Sequence, residues 1–146
     1  MEFSICLARC EFADCLGEVK MFYVAVDGDD IGQLLTQRIY KVNNDHEVIQ
    51  FSKLVTNTFA RVAEWVIQNQ GEVLFCTGDS ILFKIPEALL DTTLDHLKSE
   101  HFTVSAGIGR TLKEAHWALN VAKSLGKARV VHFDEVRRDI FGYEES

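Results

Sequence analysis

Three carboxylates, Asp27, Asp29 and Asp30, fall within four residues of this chain, directly after the apolar run at residues 21–26. Groups so close repel one another unless cations or solvent screen them. Hard, oxygen-seeking Mg²⁺ or Mn²⁺ would provide that screening. Gly28, between the first two, lets the backbone pass close to a phosphate or offer its carbonyl to a metal. Taken alone, the same turn serves equally well as an acidic cap on the helix that follows. A second acidic turn, Gly78-Asp79-Ser80, is by itself an ordinary tight turn, because these residue types favour one. Lys123, Lys127 and Arg129, around Gly126, could hold a triphosphate tail; the competing reading is a solvated basic helix end favoured by the helix dipole. If the two acidic turns meet, their carboxylates could bridge two divalent ions about 3.5–4 Å apart. One ion would sharpen an attacking ribose hydroxyl, and the other would hold the triphosphate and steady a leaving pyrophosphate. Phosphoryl transfer needs mostly positioning and charge neutralisation, so few side chains suffice.

The elements that must bring these groups together are readable from periodicity. Residues 21–26 suit a buried strand ending at Asp27. Ile31, Leu34, Leu35 and Ile39 have helical spacing, and residues 41–45 read as a connection with a helix cap. From about 46 to 69, apolar residues at Val48, Phe51, Val55, Phe59, Val62 and Val66 predict a long amphipathic helix, ended at Asn69-Gln70-Gly71. Residues 72–76 and 81–85 are strand-like runs around Thr77-Gly78-Asp79-Ser80, the pattern of a β-hairpin. Pro86 is expected to open a helix with an inner face of Leu89, Leu90, Leu94 and Leu97. Residues 102–108 predict a fourth strand. Thr111 and Glu114 form a capping-box pattern before a helix buried through Ala115, Ala118, Leu119 and Ala122, which Gly126 ends. Residues 129–133 predict a last short strand. The tail, DEVRRDIFGYEES, mixes charge with Ile140, Phe141 and Tyr143 and is read as packing on a neighbour or fraying.

The resulting order, β-α-α-β-β-α-β-α-β, predicts an α+β fold of the ferredoxin-like, split βαβ kind. It implies a mostly antiparallel sheet of about five strands with helices on one face. That topology places the first strand beside the hairpin, so Asp27 and Asp79 should lie side by side despite their separation in sequence. Residues 1–20 contain no evident sheet element and read as an N-terminal extension before a domain at 21–146.

With 146 residues, 47% of them hydrophobic, the chain can bury a sizeable core, and a single Pro and nine Gly leave little room for linkers. A formal charge of −7 argues against binding long nucleic acid, where affinity comes from neutralising phosphates. It leaves room for a small site that holds phosphates through metal ions and a few cations. Cys6, Cys10, Cys15 and Cys76 form no CxxC pair and have no His nearby, so reduced thiols in a cytoplasmic protein are expected rather than a zinc site. No apolar run is long enough to span a membrane, and the N-terminus lacks the pattern of a signal peptide. The five His are scattered and read as structural or surface residues. Trp65 and Trp117 read as packing residues on helices. Ser80 and Ser105 have no His–Asp partners in evident motifs, so a hydrolase triad is not supported.

YVAVDGDDIG at 23–32, TGDSILF at 77–83, SAGIG at 105–109 and AKSLGKARV at 122–130 together resemble the palm domains of the GGDEF and class III nucleotide-cyclase superfamily. Within it, the chain is most similar to the minimal CRISPR polymerases, relatives of the palm domain in the large subunit of type III CRISPR complexes. The likeness covers residues 21–133. It implies that Asp27 and Asp79 are the catalytic, metal-binding carboxylates and that Gly28 lends its carbonyl to the metal. Lys123 would contact phosphates, with Arg129 where a second basic residue often follows. The nucleotide and its phosphates would then lie against Gly28, Asp29, Asp30, Ile31, Gly32, Gly78, Ser80, Lys123, Lys127 and Arg129. The cofactor implied is a pair of Mg²⁺ or Mn²⁺ ions, and the implied assembly is a homodimer or larger homo-oligomer.

Two departures bear on the substrate. GTP-using GGDEF enzymes carry an Asn eight residues after the first metal Asp, where this chain has Leu35. The hairpin also lacks the first Gly and the second acidic residue of GGDEF. Both count against diguanylate synthesis. The resemblance therefore implies ATP as substrate and a cyclic dinucleotide or oligoadenylate second messenger as product, in antiviral signalling. The competing expectations are a nucleotide-binding regulatory module without turnover and a cyclase that makes a mononucleotide.

Overall fold

The structure, a computed structural model, describes residues 19–141. The predicted extension lies almost wholly outside them: only Val19 and Lys20 are described, and the Lys20 carbonyl accepts a hydrogen bond from the Glu87 amide at 2.9 Å.

The apolar run becomes strand β1 (Met21–Gly28). Helices α1 (Ile31–Val42) and α2 (Asp45–Gln68) follow, joined by Asn43 and Asn44. Asn44 caps α2 by accepting from the His46 amide at 2.9 Å. The hairpin strands are β2 (Glu72–Cys76) and β3 (Ser80–Pro86). A 3-10 turn (Glu87–Leu89) leads into α3 (Leu90–Asp95), then β4 (Val104–Gly109), α4 (Leu112–Ser124), β5 (Val130–His132) and α5 (Phe133–Phe141).

The sheet order is β2-β3-β1-β4-β5. The first four strands pair antiparallel, as a split βαβ unit requires, and β5 adds to β4 in parallel. The α+β class, the hairpin and the five strands match the reading from sequence. The placement of helices on one face does not. Along β1, Val24 and Val26 pack with Phe51, Val55, Phe59 and Val62 of α2, whereas Ala25 packs with Ala115 and Leu119 of α4. Side chains alternate across a strand, so helices cover both faces: α2 and α3 one, and α4 with α5 the other. The second face is made of small residues. A Cβ added at Gly107 would lie 2.1 Å from the Leu119 amide nitrogen and 2.3 Å from the Ala115 carbonyl oxygen. Glycine there lets the α4 backbone rest directly on β4.

Two further differences concern ends of elements. Pro86 closes β3, its ψ of 137° extended, and caps a 3-10 turn at Glu87–Leu89, so the predicted helix opens there as 3-10 and becomes α-helical only at Leu90. The first part of the charged tail forms α5, because Val136 packs against Ala118, Ala122 and Val131; residues 142–146 lie outside the described residues. The capping box at Thr111 forms in part. Its hydroxyl accepts from the Glu114 amide at 3.2 Å, and the Glu114 carboxylate meets that same hydroxyl rather than the Thr111 amide. Trp65 packs as expected, its indole donating to the Thr93 hydroxyl at 3.0 Å with His96 tilted against it at 4.4 Å. Among the described residues no helix is long and apolar enough to cross a membrane.

Candidate active site

Antiparallel register brings the two acidic turns together. Asp27 at the end of β1 stands opposite Ser80 at the start of β3, and the Gly28 amide donates to the Asp79 carbonyl at 2.8 Å. Asp79 thus sits one residue from the partner of Asp27, as the split βαβ order requires. On the other side of β1, Asp27 faces Ser105 of β4, which places the acidic turn at the middle of the sheet's edge.

The carboxylates have unlike surroundings. One oxygen of Asp27 accepts from the Ser80 hydroxyl at 2.6 Å, and the other is ion-paired with Lys123 at the end of α4. Asp79 is exposed at the hairpin tip, and its carboxylate has no hydrogen bond or ion pair among the described residues. Asp30 adopts a left-handed conformation (φ 56°) before α1 and is ion-paired with Lys127. The hydrogen bond and charge of Asp30, with a smaller contribution from Asp29, hold the Lys127 ammonium above the ordinary lysine range.

Asp29 is turned inward and only 6% exposed. Its carboxylate accepts from the Ser105 hydroxyl at 2.6 Å, the Thr103 hydroxyl at 2.8 Å and the Ala128 amide at 2.9 Å. Three donors compensate the burial of a charge that would otherwise be costly. Of three clustered carboxylates, the sequence could not show which one the fold consumes. The available signal was the hydroxyl pair Thr103 and Ser105, two apart in the run predicted as a strand and therefore expected on one face; the strand itself begins at Val104.

The cationic loop is backbone-strained. Gly126 (φ 111°), Lys127 (φ 64°) and Ala128 (φ 52°) are all left-handed in succession, which for the two non-glycine residues costs about 1–2 kcal/mol each. Lys123 and Lys127 are brought to the acidic turns. Arg129 is not drawn into an ion pair among the described residues. Its Nε donates to the Lys127 carbonyl at 3.2 Å, and it borders a separate groove of about 260 Å³ with Leu94, Leu97 and Phe102.

Beside the hairpin tip lies a cavity of about 150 Å³ lined by Ile31, Leu35, Phe51, Ser52, Val55, Thr56, Gly78 and Asp79. It is an apolar slot with two hydroxyls, adjoining one of the two metal-ligand candidates. Phe51, Ser52, Val55 and Thr56 were not singled out as site residues from sequence, because helical periodicity marks Phe51 and Val55 as core. Gly32 stands on the first turn of α1 with open space around its Cα.

As a test for divalent cations, Asp27 and Asp79 would offer two hard oxygen ligands at neighbouring strand ends, the second without a partner among the described residues. The described residues contain no group of three or more His, Cys, Asp or Glu able to hold a metal alone. That combination fits Mg²⁺ sites built from one or two carboxylates completed by substrate phosphates.

Solved structures similar to this fold include GGDEF-type and Csm1 domains. The GGDEF domain of DgcB from Caulobacter crescentus in complex with c-di-GMP superposes with a TM-score of 0.57 at 20% identity, covering 90% of this chain and 88% of that one. The active GGEEF domain of a diguanylate cyclase from Vibrio cholerae gives 0.58 at 15% identity, over 86% and 90%. The Csm1–Csm4 cassette in complex with one ATP gives 0.61 at 15% identity, over 78% of this chain and 20% of that one. No curated protein matches. At these identities the likeness defines the class, an α+β palm-like domain. The minimal CRISPR polymerase domain profile matches residues 23–133, a span containing both acidic turns and the cationic loop. The chain belongs to the minimal CRISPR polymerase family.

Proposed function

We propose that this chain is a metal-dependent nucleotidyltransferase that condenses nucleoside triphosphates, ATP first among them, into a cyclic oligonucleotide second messenger used in antiphage signalling. The observation that carries the proposal is the register of β1 against β3. It sets Asp79 next to the Asp27–Gly28 strand end, with Lys123 ion-paired to Asp27. Its support from relatives is the family membership, with neighbours crystallised with ATP and with c-di-GMP.

In this reading a ribose hydroxyl oxygen of one nucleotide bonds to the α-phosphorus of another. The bond from that phosphorus to the bridging oxygen breaks, pyrophosphate leaves, and the hydroxyl proton passes to solvent. Bound divalent cations would supply charge neutralisation on the phosphates and acidify the attacking hydroxyl. Asp27 and Asp79 would hold those cations, with the Gly28 carbonyl as a further ligand, and Ser80 keeps the Asp27 carboxylate oriented. Lys123 and Lys127, each paired with an Asp before substrate arrives, exchange that partner for triphosphate oxygens. Asp29 acts from within the fold, and Asp30 holds Lys127 in readiness. The base enters the slot beside the hairpin, where Leu35 offers no polar group to a guanine edge and Ser52 and Thr56 offer hydroxyls. A second copy of the chain presents the second nucleotide.

The test is incubation with each nucleoside triphosphate and Mg²⁺ or Mn²⁺, with pyrophosphate assayed and products resolved by mass spectrometry. Pyrophosphate and a cyclic product of two or more nucleotides are expected. No pyrophosphate from any triphosphate would turn the reading to a binding module, and a cyclic mononucleotide would turn it to a mononucleotide cyclase.

A further inference from the structure

We propose that Asp29 is a positioning residue: its buried carboxylate anchors the left-handed loop at 126–129 and so fixes where the Lys127 ammonium stands relative to the metal-ligand carboxylates. This rests on the nucleotidyltransferase reading above and gives Asp29 a role inside the protein rather than against the nucleotide.

The argument begins with what each group needs. Gly126, Lys127 and Ala128 hold positive φ in sequence, a conformation that persists only where surrounding contacts over-determine it. Among the contacts that hold it are two made by its own amides. The Lys127 amide donates to the Ala122 carbonyl at 3.1 Å, tying the loop back to α4. The Ala128 amide donates to Asp29 at 2.9 Å, tying it across to the β1–α1 turn. The same carboxylate takes the hydroxyls of Thr103 and Ser105, and the Asp29 amide donates to the Thr103 carbonyl at 2.8 Å. One side chain therefore joins three segments: the turn bearing Asp27 and Asp30, the start of β4, and the loop bearing Lys127. Ser105 is fully buried, so water is a poor substitute acceptor at that position. Ionised aspartate is an acceptor at both oxygens, which suits a position where three donors converge.

The chemistry separates geometry from charge. In Asp29→Asn the amide oxygen can keep the Thr103 and Ala128 donors. The amide nitrogen can donate to Ser105, whose hydroxyl reverses its role. Asp29→Ala can make none of these bonds.

The experiment follows hydrogen exchange of the Ala128 amide by NMR, then KM and kcat for ATP with Mg²⁺, in the wild type and both variants. Exchange is expected to quicken at least about tenfold in Asp29→Ala and to stay within about threefold in Asp29→Asn. KM should rise at least about tenfold in Asp29→Ala with a smaller change in kcat, and Asp29→Asn should restore it to within about threefold. An Ala128 amide still protected in Asp29→Ala overturns the anchor. A KM in Asp29→Asn raised about tenfold or more with Ala128 still protected also overturns it, since the charge would then act directly on ligand. If Asp29→Ala does not fold, Asp29→Asn decides by the same two readings. The exchange measurement needs no nucleotide, so a wild type that turns over nothing would count against the proposed function while the anchor is still decided.

Discussion

Gly107→Ala should unsettle the site from strand β4, beneath the helix α4 that carries Lys123. The added methyl carbon would meet three backbone atoms, the Leu119 nitrogen at 2.1 Å, the Ala115 oxygen at 2.3 Å and the Ala118 carbonyl carbon at 2.7 Å. None belongs to a side chain that could rotate away, so α4 must retreat by more than an ångström to reach ordinary contact. Gaps of that order forfeit a quarter to half of the dispersion energy between facing atoms. Here the facing atoms include Ala25, Ala115 and Leu119, all buried. Overpacking costs typically 1–3 kcal/mol, and with only backbone to yield, the upper end applies: about 3 kcal/mol, or roughly a 10 °C fall in Tm for a chain of this size. Gly32→Ala is the matched control. It lies in the first turn of α1 with nothing among the described residues inside 4 Å of an added Cβ, so it should stabilise by up to about 1 kcal/mol through helix propensity. Urea and thermal unfolding of both variants, followed by circular dichroism, make the comparison. A Gly107→Ala protein as stable as wild type would refute the reasoning, because the close approach of α4 to β4 would then not be a constraint.

Three further expectations follow from the site. Asp79→Ala should change stability by no more than about 0.5 kcal/mol, since the lost carboxylate has no partner among the described residues and the carbonyl bonded to Gly28 remains. It should cut turnover by about a hundredfold or more; urea unfolding and pyrophosphate release read the two effects. Leu35→Asn should raise the ratio of GTP to ATP turnover by roughly fivefold, the worth of one net hydrogen bond, measured by competition between the two triphosphates. The Lys127 ammonium is held above the ordinary lysine range by Asp30. Its stabilising pairing is therefore fully present below the unfolded-state lysine pKa and lost as pH rises through the folded one. The stability difference between wild type and Lys127→Met should stay constant from about pH 6 to about pH 9 and shrink only at higher alkalinity, as followed by urea unfolding across that range.

Much of the framework was legible because single-element signals are local. The apolar run that stops at Asp27, the three-four spacing from Phe51 to Val66, and the alanine face of α4 each specify one element and its buried side. The choice of sheet face is not local. Helical periodicity says that Ala115, Ala118 and Ala122 are covered and leaves open by what, which is why helices on both faces were missed. The signal lay in SAGIG, where Ser105, Gly107 and Gly109 alternate with Ala106 and Ile108, marking a face that a backbone must approach closely. α5 was missed because its charge obscured Phe133 and Val136, spaced for one helical face. At the site, the meeting of the two acidic turns followed from strand order alone. The inward turn of Asp29 did not, because it depends on Thr103, Ser105 and Ala128, which come from segments far along the chain.

The central claim is that Asp27 and Asp79 share divalent cations over a triphosphate. Anomalous scattering from crystals grown with Mn²⁺ and a non-hydrolysable ATP analogue tests it most directly. The account expects Mn²⁺ peaks at about 2.1 Å from carboxylate oxygens of both residues, with Lys123 released from Asp27 onto the phosphates. Mn²⁺ bound elsewhere, or a nucleotide seated with Asp79 uninvolved and Lys123 still on Asp27, would contradict it.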